Sequence, residues 1–278
     1  MNNHEKEYEE VKEKVDCKVI SKVEKEEMVL STFRIIGYDE ETPGLIAQNK
    51  FETSDKLILF LHGLGGKKED SLAFRIFLRD FGFSIMAIDA RGHGERQIDF
   101  MSLQPEIMLS YWNETIVDNR LAIDVAFRNG WVKERKLILA GVSMGGILGG
   151  VVAGVDKRVS GVILYVPGGD LVEVISNSTI GRSVPPSVLT LPFVRTMLAS
   201  VDPINYVDKI SPRPLLIQLG KYDDVVPFKN GMKLFEKAKE PKQLIVHDSG
   251  HSIPVDKAIE KTIDWMKNNF PQLMTKNT

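Results

Sequence analysis

Three short stretches of this chain carry the residue types that acyl transfer needs. Gly141-Val142-Ser143-Met144-Gly145 fits the pattern G-x-S-x-G. Where a buried strand turns sharply into a buried helix, the central residue is strained and side chains two positions away would clash, so glycine is needed there. The Ser143 oxygen then projects above the C-terminal edge of the sheet, and the Met144 N–H sits at the helix N-terminus, where an oxyanion is favoured. A serine nucleophile needs a base, and the base needs an acid to orient it. Of the five histidines, His251 in SGHSIP follows the last strand and precedes the last helix, at the same sheet edge as Ser143. The acid is expected in GKYDDVVP (220–227), which offers Asp223 and Asp224. In the pattern Gly-x-x-Asp-x-x-Val-Pro it falls on Asp223, with Asp224 facing solvent or capping the next turn. The order serine, acid, histidine is the one expected for this type of sheet.

HGLGG (62–66) follows the first parallel strand, and its glycines let backbone approach a substrate. The Leu64 N–H is the candidate second oxyanion donor. No phosphate-cradling glycine pattern is present, so nucleotide binding is not expected. No His, Cys and carboxylate cluster has metal-ligand spacing, so no metal is expected. The other histidines have plainer readings. His4 lies in a charged N-terminal segment and reads as a surface residue. His62, and His93 in DARGHGER (89–96), read mainly as turn-stabilising, and His247 as a satisfied core histidine. Cys17 has no partner for an internal disulfide and reads as a small apolar residue in an early strand.

The elements that must hold these residues follow from the hydrophobic pattern. Leu137 to Val155 contains no charged residue and approaches the length of a bilayer span. It is glycine-rich and tightly bracketed by Lys136 and Asp156, and its neighbours alternate between apolar strands and amphipathic helices. Strands are expected at 56–61, 83–90, 136–140, 159–166, 214–219 and 242–247. Helices are expected at 72–81, 112–130, after Ser143, near 229–239, and at 256–270 with Ile259, Ile263, Met266 and Phe270 on one stripe. Strands separated by helices pair in parallel through crossovers, giving an α/β sheet covered on both faces. Ahead of Lys56, CKVISKV, MVLSTFRII and LIAQN read as antiparallel strands at one edge.

The 278 residues are 43% hydrophobic and 27% charged, with a net charge of -2. That composition is globular, and the interleaved charges leave no nucleic-acid footprint. The N-terminal segment lacks a signal-peptide core, so a cytoplasmic location is the expectation.

In this order HGLGG, DARGHGER, GVSMGG, GKYDDVVP and SGHSIP resemble the α/β-hydrolase superfamily over roughly residues 56–270. Within it, the chain is similar to small carboxylesterases and to the catalytic domain of prolyl-oligopeptidase-like hydrolases. The resemblance implies a mostly parallel, eight-stranded sheet with its second strand antiparallel, a nucleophile elbow, and acyl-enzyme chemistry without a cofactor. It implies Ser143 as nucleophile, Asp223 as acid, His251 as base, and Leu64 and Met144 as the oxyanion positions. Relatives with an aspartate or cysteine nucleophile are disfavoured, because Ser143 holds that place. No room is left for the propeller of the large oligopeptidases.

Residues 1–278 are therefore read as a single domain, with 167–206 as a small lid insertion. Val188, Leu189, Phe193 and Met197 on that insertion, with Met108 and Trp112 from the other side, are the candidate acyl-pocket residues. A modest lid fits short to medium acyl esters. The leading expectation is a serine carboxylesterase acting on a small-molecule ester. A peptidase or acylglycerol lipase on the same triad, and a binding protein on a retired hydrolase fold, are the alternatives.

Overall fold

Alternation along the central strands sets the layering. In β4 (Leu57–Leu61) every residue is buried. Leu57, Leu59 and Leu61 enter one hydrophobic cluster, and Ile58 and Phe60 enter another on the opposite face. A strand buried on both sides must be apolar throughout, which is why LILFL carries no polar residue. The computed structural model of the chain describes residues 3–98, 105–179 and 185–275.

Among the described residues nine strands form one sheet. Besides β4 these are β1 (Asp16–Lys25), β2 (Met28–Ile36), β3 (Thr42–Asn49), β5 (Ser84–Ile88), β6 (Leu137–Val142), β7 (Gly161–Tyr165), β8 (Leu215–Gly220) and β9 (Lys242–His247). Their spatial order is β1-β2-β3-β5-β4-β6-β7-β8-β9. The pairings β1–β2, β2–β3 and β3–β5 are antiparallel, and the rest are parallel. The mostly parallel α/β-hydrolase architecture holds, but the implied count of eight strands is one short. The chain reaches its parallel part through a three-stranded meander, and the three apolar runs ahead of Lys56 each form a strand of it.

Helices cover both faces. One cluster takes side chains from α1 (Asn3–Val11), α3 (Pro105–Arg128), α4 (Met144–Val155), α5 (Leu171–Asn177), α7 (Pro192–Val201) and α8 (Phe228–Lys237). The other takes them from α2 (Arg75–Phe81) and α9 (Val255–Asn269). Residues 72–74, expected to open the helix at 72–81, instead end a 3-10 turn over 68–74, and α2 then ends at Gly82 with φ 68°. The uncharged run after Ser143 is the 12-residue α4, packed inside the protein. No helix of the described residues is long and apolar enough to cross a membrane.

His4 departs from its expected place on the surface. It is fully buried, with Nε2 within 3.0 Å of the Tyr206 hydroxyl and 3.1 Å of the Ser200 carbonyl oxygen. The charges of α1 occupy its outer face, while His4 and Tyr8, one turn apart, face inward.

The connectivity locates the reactive edge. The chain runs from β4 through α2 to β5, then crosses back through α3 to β6 on the other side of β4. The connections after β4 and β6 therefore diverge to opposite faces, and a crevice opens at their C-terminal ends.

Candidate active site

Ser143 lies between β6 and α4 with φ 55° and ψ -117°, a conformation a side-chain-bearing residue rarely adopts. The surrounding glycines make it possible. A Cβ on Gly141 would stand 2.2 Å from the Gly145 carbonyl oxygen, and one on Gly145 would stand 2.1 Å from that of Leu61. Both clashes are with backbone, which cannot yield. The Ser143 N–H donates to the Tyr165 carbonyl at 2.9 Å, and its carbonyl accepts the first helical bond, from Ile147.

Two loops at the same edge converge on this serine. His251 Nε2 lies 2.9 Å from Ser143 Oγ, and His251 Nδ1 lies 2.7 Å from Asp223 Oδ2. The other Asp223 oxygen accepts the N–H groups of Val225 and Val226 at 3.0 and 2.9 Å. Asp223 is thus buried and held from both oxygens, whereas the adjacent Asp224 is exposed, its backbone carbonyl taken by Thr179. This arrangement can draw a proton from Ser143 Oγ to Nε2 while Nδ1–H donates to Asp223.

The loop after β4 forms the opposite wall. Gly63 passes so near that a Cβ there would lie 3.5 Å from that of Ser143. His62 fixes this loop, its Nδ1–H donating to the Gly63 carbonyl at 2.8 Å and its Nε2 accepting the Ala90 N–H at 3.0 Å. Both ring nitrogens are used and burial pushes its pKa down, so it is a neutral brace. His93 braces the neighbouring loop, donating from Nδ1 to the Arg91 carbonyl. Leu64 follows, one-third exposed at the mouth. Its N–H has no hydrogen-bond acceptor among the described residues, in line with a donor directed at substrate. His247 pairs with Gln218 in the core at 2.7 Å.

Beside Ser143 and His251 lies a cavity of about 400 Å³. Its apolar wall is built by Phe60, Phe74, Val142, Tyr165, Ile253 and Ile259. None of the six pocket residues expected from sequence lines it. Leu189 is buried in the core, where Trp112, Val188 and Met197 pack against the same cluster. Phe193 faces solvent, and Met108 is half-buried near the start of α3. The reason is the course of 167–206. Its α7 packs on α3, beside α6 (Pro186–Thr190), and none of its described residues borders the cavity. The wall comes from the ends of β4, β6 and β7, the 68–74 turn, the loop after His251 and α9, whose apolar residues read equally well as plain core. Only Val142, inside G-x-S-x-G, and Ile253, two residues past His251, stood in motifs that could mark them. Val166, also on the wall, holds φ 45°, an outlier for a β-branched side chain and a sign of strain at this edge. Among the described residues no group of His, Cys, Asp or Glu is placed to hold a metal ion.

With this geometry in hand, the chain can be set beside known proteins. It is 29% identical over 198 residues to "Uncharacterized protein YfhR" of Escherichia coli (strain K12), covering 70% of this chain and 62% of that one. The chain thus spans less than two-thirds of the length of these relatives. It is also 29% identical over 233 residues to "Putative esterase YitV" of Bacillus subtilis (strain 168), covering 76% of this chain and 88% of that one. Acetyl xylan esterase 1 from Thermoanaerobacterium sp. JW/SL YS485 shares the fold with a TM-score of 0.76 at 17% identity, over 96% of this chain and 92% of that chain. Est1E from Butyrivibrio proteoclasticus, solved with ferulic acid bound, does so with 0.68 at 18%, over 83% and 96%. The prolyl oligopeptidase family model matches residues 71–272, well over half of the chain and inclusive of Ser143, Asp223 and His251. The chain has the α/β-hydrolase fold and belongs to the prolyl oligopeptidase family.

Proposed function

We propose that this protein is a serine carboxylesterase acting on esters of short to medium acyl chains. The observation that carries the reading is the chain of contacts Ser143 Oγ to His251 Nε2 at 2.9 Å and His251 Nδ1 to Asp223 Oδ2 at 2.7 Å. It is assembled from residues 108 and 28 positions apart, on three separate loops.

Ser143 Oγ attacks the ester carbonyl carbon as its proton passes to His251 Nε2. The carbonyl π bond opens, and the oxyanion is held by the N–H groups of Leu64 and Met144. On collapse the C–O bond to the alcohol breaks, and His251 returns the proton to the leaving oxygen. Water, deprotonated by the same nitrogen, then attacks the acyl-enzyme and releases the acid and Ser143. The apolar cavity of about 400 Å³ offers room for an acyl chain of this size. The relative named a putative esterase and the acetyl xylan esterase neighbour favour ester over amide substrates. The whole chain is read as one catalytic domain, with 167–206 an insertion between β7 and β8.

The family match itself favours a second reading, a peptidase on the same residues. Labelling with a fluorophosphonate followed by peptide mass mapping tests both, and a protein that gains no mass on the Ser143 peptide is neither. Turnover of p-nitrophenyl butyrate against a prolyl-p-nitroanilide then separates them, the ester being the expected substrate.

A further inference from the structure

A second and larger cavity, about 910 Å³, borders Leu64. Leu64 lines both cavities, so the two arms meet at this residue. The two arms differ in chemistry. The first is walled by aromatic and aliphatic side chains. The second is walled by backbone at two glycine turns and by Lys67, Lys68, Glu69, Glu95 and Gln97. Gly65, Gly92 and Gly94 hold φ of 75°, 74° and 55°, so the turns present peptide groups rather than side chains.

The polar arm is rigidly built. The fully buried Asp89 carboxylate accepts the Lys68 N–H at 2.8 Å, the Lys68 ammonium at 2.9 Å and the Glu95 N–H at 3.0 Å, joining one wall to the other. Lys68 also reaches Glu95 at 2.7 Å and Glu69 at 3.2 Å. The charges lining the arm are two lysines against two glutamates, Lys68 being paired with both Glu69 and Glu95 while Lys67 is exposed, so the formal charges cancel. Such a surface has no net attraction for an anion or a cation. It offers fixed donors and acceptors to hydroxyl groups, with Leu64 and Ile98 as apolar patches for C–H faces.

We infer that this cleft is a subsite for the alcohol half of the ester, and that the alcohol is a neutral, polyhydroxylated one. The inference rests on the proposed ester hydrolysis and names the substrate class it serves. With the acyl chain in the apolar arm, the leaving alcohol passes Leu64 and spreads its hydroxyls between the Lys67–Glu69 and Gly92–Gln97 walls.

The test compares two esters of one acid, 6-O-butyryl-glucose and ethyl butyrate, by kcat/KM in the wild-type protein and in Gln97→Ala and Lys67→Ala. The ratio of the two substrates cancels any change in the shared chemistry. The expected ratio is at least about tenfold in favour of the sugar ester, the worth of one or two extra hydrogen bonds, and each variant lowers it severalfold. A wild-type ratio near one overturns the inference, and so does a high ratio that neither variant moves. If neither ester is cleaved and Ser143 resists fluorophosphonate, the underlying hydrolysis has failed and the inference falls with it. If ethyl butyrate alone is cleaved, only the inference falls.

Discussion

Gly220, at the end of β8, and Gly250, beside His251, touch backbone to backbone. A Cβ on Gly220 would lie 2.0 Å from the Gly250 carbonyl oxygen. Two hydrogen bonds stitch the same loops, from the Lys221 N–H to the His247 carbonyl and from the Tyr222 N–H to the Ser249 carbonyl, each at 2.9 Å. The loop of Asp223 and the loop of His251 are therefore one layer, and their contact is set by the absence of a side chain at residue 220.

Gly220→Ala is expected to separate that layer and move His251 away from Ser143. A displacement near 1 Å at reacting groups can cost about a hundredfold in turnover, and a loss of that order is predicted. Gly130→Ala is the control, because a Cβ there meets nothing within 4 Å and only the φ of 69° is strained. It should cost about 1 kcal/mol of stability and leave turnover unchanged. Equal turnover in the two variants would show that the contact does not position the histidine.

Asp223 and Asp224 should separate sharply. Asp223→Asn removes the carboxylate that orients the His251 tautomer, a change that costs about 10⁴ in turnover in a well-studied serine protease. A loss of several orders of magnitude is expected. Asp224→Asn, altering an exposed side chain, should cost no more than about tenfold. The comparison is of kcat on one ester at matched thermal stability, and a dead Asp224→Asn beside a nearly normal Asp223→Asn would reverse the assignment.

The motifs and the element order were legible in the sequence because both are local. A strand such as LILFL is apolar throughout, and glycines two residues either side of a serine mark a tight turn once a buried strand precedes them and a buried helix follows. Ser143, Asp223 and His251 could be aligned because loops after parallel strands share one sheet edge. Side-chain destinations were not legible where a stripe has two possible partners. Leu189 and Met197 are apolar at helical spacing, but they serve the core packed around α3, while Phe74 and Ile259 serve the cavity. His4 was misplaced for the same reason, since charged neighbours on one face of a helix say nothing of the other.

Burial holds the His4 pKa down to about 4, against about 6.5 for an unperturbed histidine. The unfolded chain thus binds a proton that the folded chain refuses between these values. Stability from this residue is intact above pH 6.5, declines as pH falls, and is fully lost below about 4. The loss is on the order of 3 kcal/mol. Urea unfolding at pH 7 and pH 4.5 should show a larger drop for the wild-type protein than for His4→Gln, and identical drops would exclude His4 as the source.

Asp89 is the last residue whose removal should be felt at a distance. Its carboxyl is opposed by burial, yet the Glu95 N–H, the Lys68 ammonium and the Lys68 N–H together hold it below its ordinary pKa, so it is ionised at neutral pH. A Cβ on Gly94 would lie 2.1 Å from this carboxyl group, so the turn packs directly against it. Asp89→Asn leaves the Lys68 ammonium buried with weaker compensation. Breaking a buried pair costs about 3–5 kcal/mol, and because Glu95 and Glu69 remain near Lys68 a loss of about 2–3 kcal/mol is expected. The same carboxylate anchors the chain four residues beyond Leu64, so its loss should loosen the Leu64 N–H. Turnover should fall about tenfold with KM little changed, a fraction of the ~10²–10³ lost when an oxyanion donor is deleted outright. Glu95→Gln, at a half-exposed side chain, should cost under about 1 kcal/mol and spare turnover of ethyl butyrate, whose alcohol is too small to reach the polar arm. Urea unfolding and steady-state kinetics on the two variants decide the matter. If Asp89→Asn is destabilised without any loss of kcat, the carboxylate supports the fold and not the oxyanion loop.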